Sequence, residues 1–408
     1  MKRGDLQNGF ENEVRTSLLR NANNLFFALI FFTRWRDVCI LFKSKKSQCI
    51  KIAENEDSFS AIFSCYTKRK MGGNKMKVAL ISAWHVHTKK FMARLLAKNV
   101  ECVYVWDFDE ARGQQAAHDY QATFEADYRV ILADEQIDAV IVEAPTTMHK
   151  ELIILAAQAK KHIFSEKVLA LTTQDCLEIE QAIRANDVKF MISLESLANN
   201  AYHYALQLVH EGVLGEVTSA YFRRSHGAVI QNHLPSYWFD VSQSGGGVTL
   251  DLGSHGFTLL PLICGKPQSV SCIMNEKWGS GVDERSTTVI EFTSGAIGTA
   301  TTSFLASTLD NYLEIIGTQG SLQIVGNEHE PQAIFIQSNV KAEYQRKTLI
   351  SSEGISKLTD YPIELFVDLV NNSDKKEFPY YDLEAAKTLT RLVECAYESA
   401  RTGQTVIY

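Results

Sequence analysis

From Lys77 onward, short apolar runs alternate with longer stretches in which apolar residues recur every three or four positions. Val78 to Ser82, Cys102 to Trp106, Ala139 to Val142, His162 to Phe164 and Lys189 to Ile192 have the length and composition of buried strands. Between them, Phe91 to Lys98, Asp109 to Tyr120, His149 to Lys160 and Thr173 to Asn186 carry helical spacing, as in "LTTQDCLEIEQAI". This rhythm predicts a Rossmann-like α/β domain over residues 76–193, a doubly wound parallel sheet covered on both faces.

After a helix at Tyr202 to Glu211, ended by Gly212, the runs become longer and richer in Thr and aromatic residues. "TTVIEFTSGAIGTATTSF", residues 287–304, predicts two antiparallel strands joined at Ser294-Gly295. "YLEII" and "SLQIV" follow across the Gly317 to Gly320 turn, and a helix at Leu383 to Arg401 precedes Gly403. Residues 194–408 are therefore expected to form an α+β domain with a mostly antiparallel sheet.

Residues 1–75 lack this pattern. Their apolar stretch, Leu25 to Phe32, is too short for a bilayer that needs about 20 residues, and Arg34 and Arg36 interrupt it. Acidic residues precede it and no small-residue cleavage site follows, so a poorly ordered extension outside the fold is expected.

Composition narrows the partners. The 408 residues are 45% apolar and carry a formal net charge of −7 without a sustained basic run, which argues against nucleic-acid binding. Eight cysteines are scattered singly with no C-x-x-C pair, which fits reduced thiols in a cytoplasmic protein. Neither a disulfide frame nor a membrane anchor is expected, and a small-molecule partner is.

The candidate chemistry clusters at predicted strand ends. "KVALISAWHVHTKKF", residues 77–91, is placed as a nucleotide-binding turn, but Ser82, Trp84 and His87 occupy the positions of G-x-G-x-x-G. Asp107, 25 residues after Ser82, suits a ribose acceptor that disfavours a 2′-phosphate, hence NAD over NADP; an acidic strand-end cap is the alternative. "EAPTTMHKE" puts Pro145, Thr146 and His149 at the carboxyl edge of the sheet, and "FSEKVLALT" puts Glu166 and Lys167 there, although a Glu-Lys pair also suits a solvated turn. In "SGGGVTLDLGSH", Asp251 and His255 lie four residues apart on one helical face, either as acid/base equipment or as a structural helix contact. The close spacing of His85 and His87 raises the question of a metal, but helix capping competes and no metal site is expected.

In order, these pieces resemble the Gfo/Idh/MocA family of NAD(P)-dependent oxidoreductases, from about Met76 to the C-terminus. The resemblance rests on the strand and turn at 78–87, Asp107, A-P-T-x-x-H at 144–149, E-K at 166–167, "LVHEGVLGEV", "YWFD", "GGG", D-x-G-x-H and "LEIIGTQGSL". It implies that Lys167, Asp251 and His255 form the catalytic group, with Lys167 beside the nicotinamide. It also implies a cofactor lined by Ser82, Trp84, His85, His87, Asp107, Pro145, Thr146, His149, Glu166 and Lys167, and self-association through an open sheet in the second domain. Sugars, inositols and related polyols are the implied substrates.

Three departures stand out: Val168 replaces the proline after E-K, Thr258 replaces an aspartate three residues beyond the motif histidine, and the turn lacks its glycines. Backbone N–H groups and a helix dipole hold a pyrophosphate without strictly needing glycine. Trp84 would obstruct close approach, so the turn is expected to be displaced outward, with Ser82, His85 or His87 as side-chain donors. The leading expectation is a dehydrogenase. Two alternatives stay open: a dinucleotide-binding sensor on the same fold, and an NAD-retaining lyase or glycosidase that works through transient oxidation.

Overall fold

The computed structural model describes residues 27–34, 37–43, 49–51 and 75–408, except 309, 327–331, 356–358, 373 and 376. The chain divides into two compact units, Met1–Lys75 and Met76–Tyr408. In the first, β1 (Phe27–Arg34), β2 (Asp37–Lys43) and β3 (Cys49–Lys51) form an antiparallel sheet in that order. The expectation of a poorly ordered extension concerns residues that lie largely outside the described ones.

The second unit begins with the predicted parallel sheet. β4 (Lys77–Ile81), β5 (Glu101–Trp106), β6 (Thr123–Phe124), β7 (Ala139–Val142), β8 (His162–Ser165) and β9 (Phe190–Ile192) lie in the order β6-β5-β4-β7-β8-β9, every pair parallel. This is the doubly wound order, with its switch point between β4 and β7. All four residues of β7 are buried, as a strand covered on both faces requires. Helices α1 (Thr88–Ala97), α2 (Glu110–Tyr120), α3 (Tyr128–Ala133), α4 (Thr146–Gln158) and α5 (Thr173–Asn186) cover the sheet. Asp109 and Thr172 accept N-terminal amide hydrogens of α2 and α5, which fixes where those helices start.

After α6 (Asn200–His210), a nine-stranded sheet is built from β10 (Val217–Ser225), β11 (Pro267–Asn275), β12 (Arg285–Phe292), β13 (Ile297–Ser303), β14 (Asp310–Gly317), β15 (Gly320–Val325), β16 (Ala333–Ser338), β17 (Thr348–Ser351) and β18 (Val406–Ile407). Its order is β17-β16-β15-β14-β10-β13-β12-β11-β18, antiparallel except for the β10–β13 pair. The β12–β13 hairpin turns where expected, with Gly295 at φ +85°. Strict alternation of exposed and buried residues along β12 leaves one face of the sheet in solvent.

The other face is covered by α7 (Gly253–Cys264) and α9 (Leu383–Thr402), while α8 (Pro362–Asn371) packs on α1, β8 and β9. The C-terminal helices thus return to the parallel sheet. Gly256 lets α7 lie close to its sheet: a Cβ there would meet Phe222 Cδ1 at 2.7 Å and Ala300 Cβ at 3.1 Å. Among the described residues no helix is long and apolar enough to cross a membrane, and Cys102, Cys176, Cys264, Cys272 and Cys395 are free, buried thiols.

Gly256→Ala is therefore expected to destabilise the fold by about 1–3 kcal/mol through overpacking. Helix propensity alone would stabilise it by up to about 1 kcal/mol. The sign of the change in urea unfolding decides whether close helix–sheet approach governs this position.

Candidate active site

At the switch point, the loops after β4, β7 and β8 meet at the carboxyl edge of the sheet, where open α/β folds bind ligands. The loop after β4 is folded onto itself. Ser82 adopts φ +68° and its N–H donates to Trp106 O at 2.6 Å. The N–H groups of Ala83, Trp84, His85, His87 and Thr88 donate to Asp107 Oδ2, Ser82 Oγ, Glu143 O, His85 Nδ1 and His85 O respectively.

Asp107 stands at the end of β5, as expected, but its acceptor capacity is engaged. Its Oδ2 accepts from Ser82 Oγ (2.9 Å), Ala83 N (2.7 Å) and Arg112 Nε (2.9 Å), and its Oδ1 from Asp109 N (2.9 Å) and Arg112 Nη2 (2.6 Å). An ionised carboxylate offers about four lone-pair sites, so five donors saturate it. A ribose hydroxyl would have to displace one of them.

Trp84 is not displaced outward. It is 3% exposed, stacked on Trp238 with ring centroids 4.6 Å apart and planes 11° from parallel, and it lies beside Tyr237 at 5.6 Å. Its indole N–H donates to Gln243 Oε1 at 3.1 Å, and Tyr237 OH donates to Trp84 O at 3.1 Å. A large aromatic surface is better stabilised against Trp238 than in water, which draws the turn inward. A cavity of about 20 Å³ remains, lined in part by Trp84, His85, Thr146, Lys167, Trp238 and Asp251. That is room for about one water molecule.

Lys167 and Asp251 form a buried pair. Lys167 Nζ donates to Asp251 Oδ1 at 2.8 Å and to Asp251 O at 2.9 Å. Although burial opposes ionisation of Asp251, the Lys167 and His226 charges hold its carboxyl well below the usual range. Val168 occupies the position after the lysine, and the Lys167–Val168 peptide is cis.

The glycine run supplies the close approach its sequence promised. A Cβ on Gly247 would fall 2.2 Å from Asp283 O, and Gly247 N donates to Asp283 Oδ1 at 2.8 Å. That docking positions the short helix Val248–Asp251.

Asp251 and His255 are not paired as their spacing predicted. Asp251 is taken by Lys167, whereas His255 Nδ1 lies 2.5 Å from Ser196 Oγ. Burial first, then the positive charges of Arg224 and Lys167, push the His255 imidazole well below its ordinary value. The residue is a neutral base, not one made more basic by a carboxylate.

His149 is fully buried, its ring nitrogens 3.0 Å from Val168 O and 2.9 Å from Ala144 O. It ties the turn after β7 to the turn after β8 and does not face the cavity. Pro145 caps α4 and Thr146 lines the cavity. Glu166 is fully buried against two histidines: His87 Nδ1 lies 2.8 Å and His85 Nδ1 3.5 Å from its Oε1. Burial opposes its ionisation, but His85, His87 and Lys167 pull the carboxyl down to about 2. Burial lowers His85 to about 3. His87 moves the other way, because Glu195 and Glu166 outweigh its burial.

Comparison with known proteins decides the family. A model described as an oxidoreductase family with an NAD-binding Rossmann fold matches residues 71–194, and one for the Gfo/Idh/MocA C-terminal domain matches residues 202–323. The chain belongs to the Gfo/Idh/MocA oxidoreductases. It is 30% identical over 231 residues to 2,7-anhydro-N-acetylneuraminate hydratase of Escherichia coli, covering 55% of this chain and 60% of that one. It is 27% identical over 229 residues to levoglucosan dehydrogenase of Pseudarthrobacter phenanthrenivorans, covering 48% and 57%. The chain thus spans under two thirds of the length of these relatives.

Among solved structures, levoglucosan dehydrogenase with NADH and levoglucosan superposes with a TM-score of 0.70 at 20% identity, over 82% of this chain and 99% of that one. An aldose-aldose oxidoreductase from Caulobacter crescentus with glycerol does so with 0.70 at 18%, over 82% and 100%. At these identities the likeness is one of fold.

As a Gfo/Idh/MocA member, the chain carries an NAD-binding Rossmann domain. Arg112, Ser196, Arg224, His226 and Gln243, and the Tyr237 and Trp238 of the "YWFD" motif, were not assigned to the site from sequence, yet all pack on or charge it. The signal for the last four was the aromatic, histidine and amide content of residues 226–243. Arg112 belongs to no motif and reaches Asp107 from the first turn of α2.

The lowered His255 has a consequence for stability. The unfolded chain, with imidazole near 6.5, takes up a proton that the folded chain refuses, so stability falls as pH drops below about 6.5. Urea unfolding at pH 7.5 and pH 5.0 should show a smaller acid loss in His255→Gln than in the parent, by an amount on the order of 1 kcal/mol. An equal or larger loss in the variant would contradict a buried neutral His255.

Proposed function

We propose that the protein is an NAD-dependent oxidoreductase that moves a hydride between a hydroxyl-bearing carbon of a sugar, inositol or other cyclic polyol and the nicotinamide. The observation that carries this reading is the meeting of Lys167 and Asp251 at the cavity at the switch point, with a buried His255 that feels the Lys167 charge from outside the cavity lining. Levoglucosan dehydrogenase and the Thermotoga maritima myo-inositol 2-dehydrogenase, 27% identical over 200 residues, supply the substrate class by analogy.

The residues fit the cofactor at two places. At the end of β5, Asp107 and Arg112 would meet an adenosine ribose once one of the five donors on Asp107 is displaced, and Lys167, Thr146 and Asp251 line the cavity at the other end. Between them the turn fits only after opening, since Trp84 fills the path and most turn amides already have partners. Bound NAD would supply the hydride acceptor. His255, being neutral, takes the substrate hydroxyl proton at its free ring nitrogen, while Ser196 fixes the ring through Nδ1. Lys167 donates to the same oxygen as it gains negative charge, and Asp251 orients the ammonium.

The hydratase relative aligns at 30% identity, which supports an NAD-retaining lyase or hydratase as the alternative. The same Lys167 and His255 would then move protons around a transiently oxidised sugar. Self-association through the open sheet is supported by Ile273, Val289, Ile297 and Ile316 exposed on β11 to β14.

Lys167→Met and His255→Ala are each expected to lower turnover of a polyol or sugar by roughly two orders of magnitude or more, with NAD affinity nearly unchanged. Steady-state kinetics alongside fluorescence titration of NAD separates the two effects. Undiminished turnover in either variant would remove the assignment, and product formed without net reduction of NAD would favour the alternative.

Cofactor choice has its own test. Asp107→Ser should narrow the preference for NAD over NADP, and Arg112→Ala should widen it by removing the nearest partner for a 2′-phosphate. An affinity ratio unchanged in both variants would overturn the adenosine end of this reading.

A further inference from the structure

The turn that should cradle a pyrophosphate carries two imidazoles aimed at one buried carboxylate. His85, His87 and Glu166 each present a donor atom, and these three atoms lie within 4.8 Å of one another. His85 and Glu166 are 6% and 0% exposed, and His87 is partly buried. No other group of three such donors gathers among the described residues. A shared proton between His87 and Glu166 accounts for their 2.8 Å contact, while His85 Nδ1, which accepts from the His87 N–H at 3.2 Å, sits 3.5 Å from the same oxygen.

We propose that His85, His87 and Glu166 form a binding site for a divalent transition-metal ion of the zinc type, next to the Lys167–Asp251 pair. Two imidazoles and one carboxylate are the donor set of zinc sites that keep a position open for water or substrate, with metal–donor bonds of about 2.0–2.2 Å. Donors bound to one ion at that length lie roughly 3–4 Å apart, so the side chains need shift by about an ångström or less.

Neighbouring groups hold the three side chains in place. Glu195 Oε2 lies 3.6 Å from His87 Nε2, on the ring edge away from Glu166, as the outer carboxylate of a carboxylate–histidine–metal arrangement does. Ser193 Oγ donates to Glu166 Oε1 at 3.3 Å and Lys167 N donates to its Oε2 at 2.9 Å, which fixes the carboxylate plane. Behind them Glu143 is fully buried with Oε1 lacking a hydrogen-bond partner. Burial and the Glu166 charge push the Glu143 carboxyl well above its ordinary range, so the negative charge facing the two imidazoles comes from Glu166 and Glu195, the latter also paired with Lys90 Nζ at 2.8 Å.

The open position is defined by His85, which lines the cavity shared with Lys167 and Asp251. Its volume of about 20 Å³ holds one water. The fourth ligand is therefore an oxygen donor: water at rest, and a hydroxyl or carbonyl oxygen of the substrate when the cavity opens. A metal there polarises that oxygen beside the Lys167 ammonium. The site does not depend on the proposed hydride transfer, and its test reads metal alone.

The untagged full-length chain is stripped with EDTA, dialysed and titrated with ZnCl₂ by calorimetry, with CoCl₂ absorbance as a spectroscopic probe. One equivalent should bind, with affinity lowered tenfold or more in His85→Ala, His87→Ala and Glu166→Gln, and unchanged in His118→Ala, an exposed histidine on α2. Zinc should also raise the melting temperature of the parent but not of the three variants. If a variant fails to fold, ligand-field bands of cobalt in the parent decide the matter: their appearance supports the site and their absence rejects it. No zinc binding by the parent, or equal affinity in all variants, overturns the proposal.

Discussion

A buried ion pair ties the parallel-sheet domain to the domain that carries the large sheet. Lys167 leaves the carboxyl end of β8, Asp251 ends a short helix of the second domain, and their 2.8 Å contact is nearly sealed from water. Removing one partner of such a pair leaves a charge stranded in low dielectric, at a cost of about 3–5 kcal/mol. The triple glycine exists to bring Asp251 there, since any side chain at 247 would strike Asp283. The C-terminal helices then return to β8 and β9 and hold the arrangement in place. The cavity follows from where this pair sits, whereas the neutral state of His255 owes most to its own burial and then to Arg224.

The second constraint is the turn after β4. Without glycines it does not open toward a phosphate; it closes on Asp107 and stacks Trp84 on Trp238. The protein has exchanged an anion cradle for a hydrogen-bonded plug, and in doing so has gathered His85 and His87 on Glu166. A site that binds a dinucleotide through this edge must first release several internal hydrogen bonds and an aromatic stack. If substrate and cofactor enter as proposed, their access is coupled to a single short segment, residues 82–87.

The parallel sheet was legible because each strand is a run of apolar residues buried on both faces, and all five predicted strands appear within a residue or two of their expected bounds. The two-residue β6 carries too little pattern to be seen. The order of the large sheet was not legible, since the parallel β10–β13 pair joins strands separated by more than 70 residues. At the site, helical spacing brought Asp251 and His255 to one face but could not reveal that Lys167 and Ser196, from other elements, would claim them. His149 carried the family motif yet bonds two backbone carbonyls, a role that only three-dimensional neighbours disclose. Glu166 appeared in sequence as half of a turn-like pair, and its meeting with two histidines 79 and 81 residues away depends on the switch point.

In the proposed reading, chemistry occurs at the Lys167–Asp251 pair once the Trp84 turn opens. A crystal structure of the full chain with bound NAD is the decisive measurement. The nicotinamide should contact Lys167 and lie near His255, the adenosine ribose should sit at Asp107, and Trp84 should no longer stack on Trp238. NAD bound elsewhere, with the Trp84–Trp238 stack and the Asp107–Ala83 hydrogen bond intact, would contradict that reading.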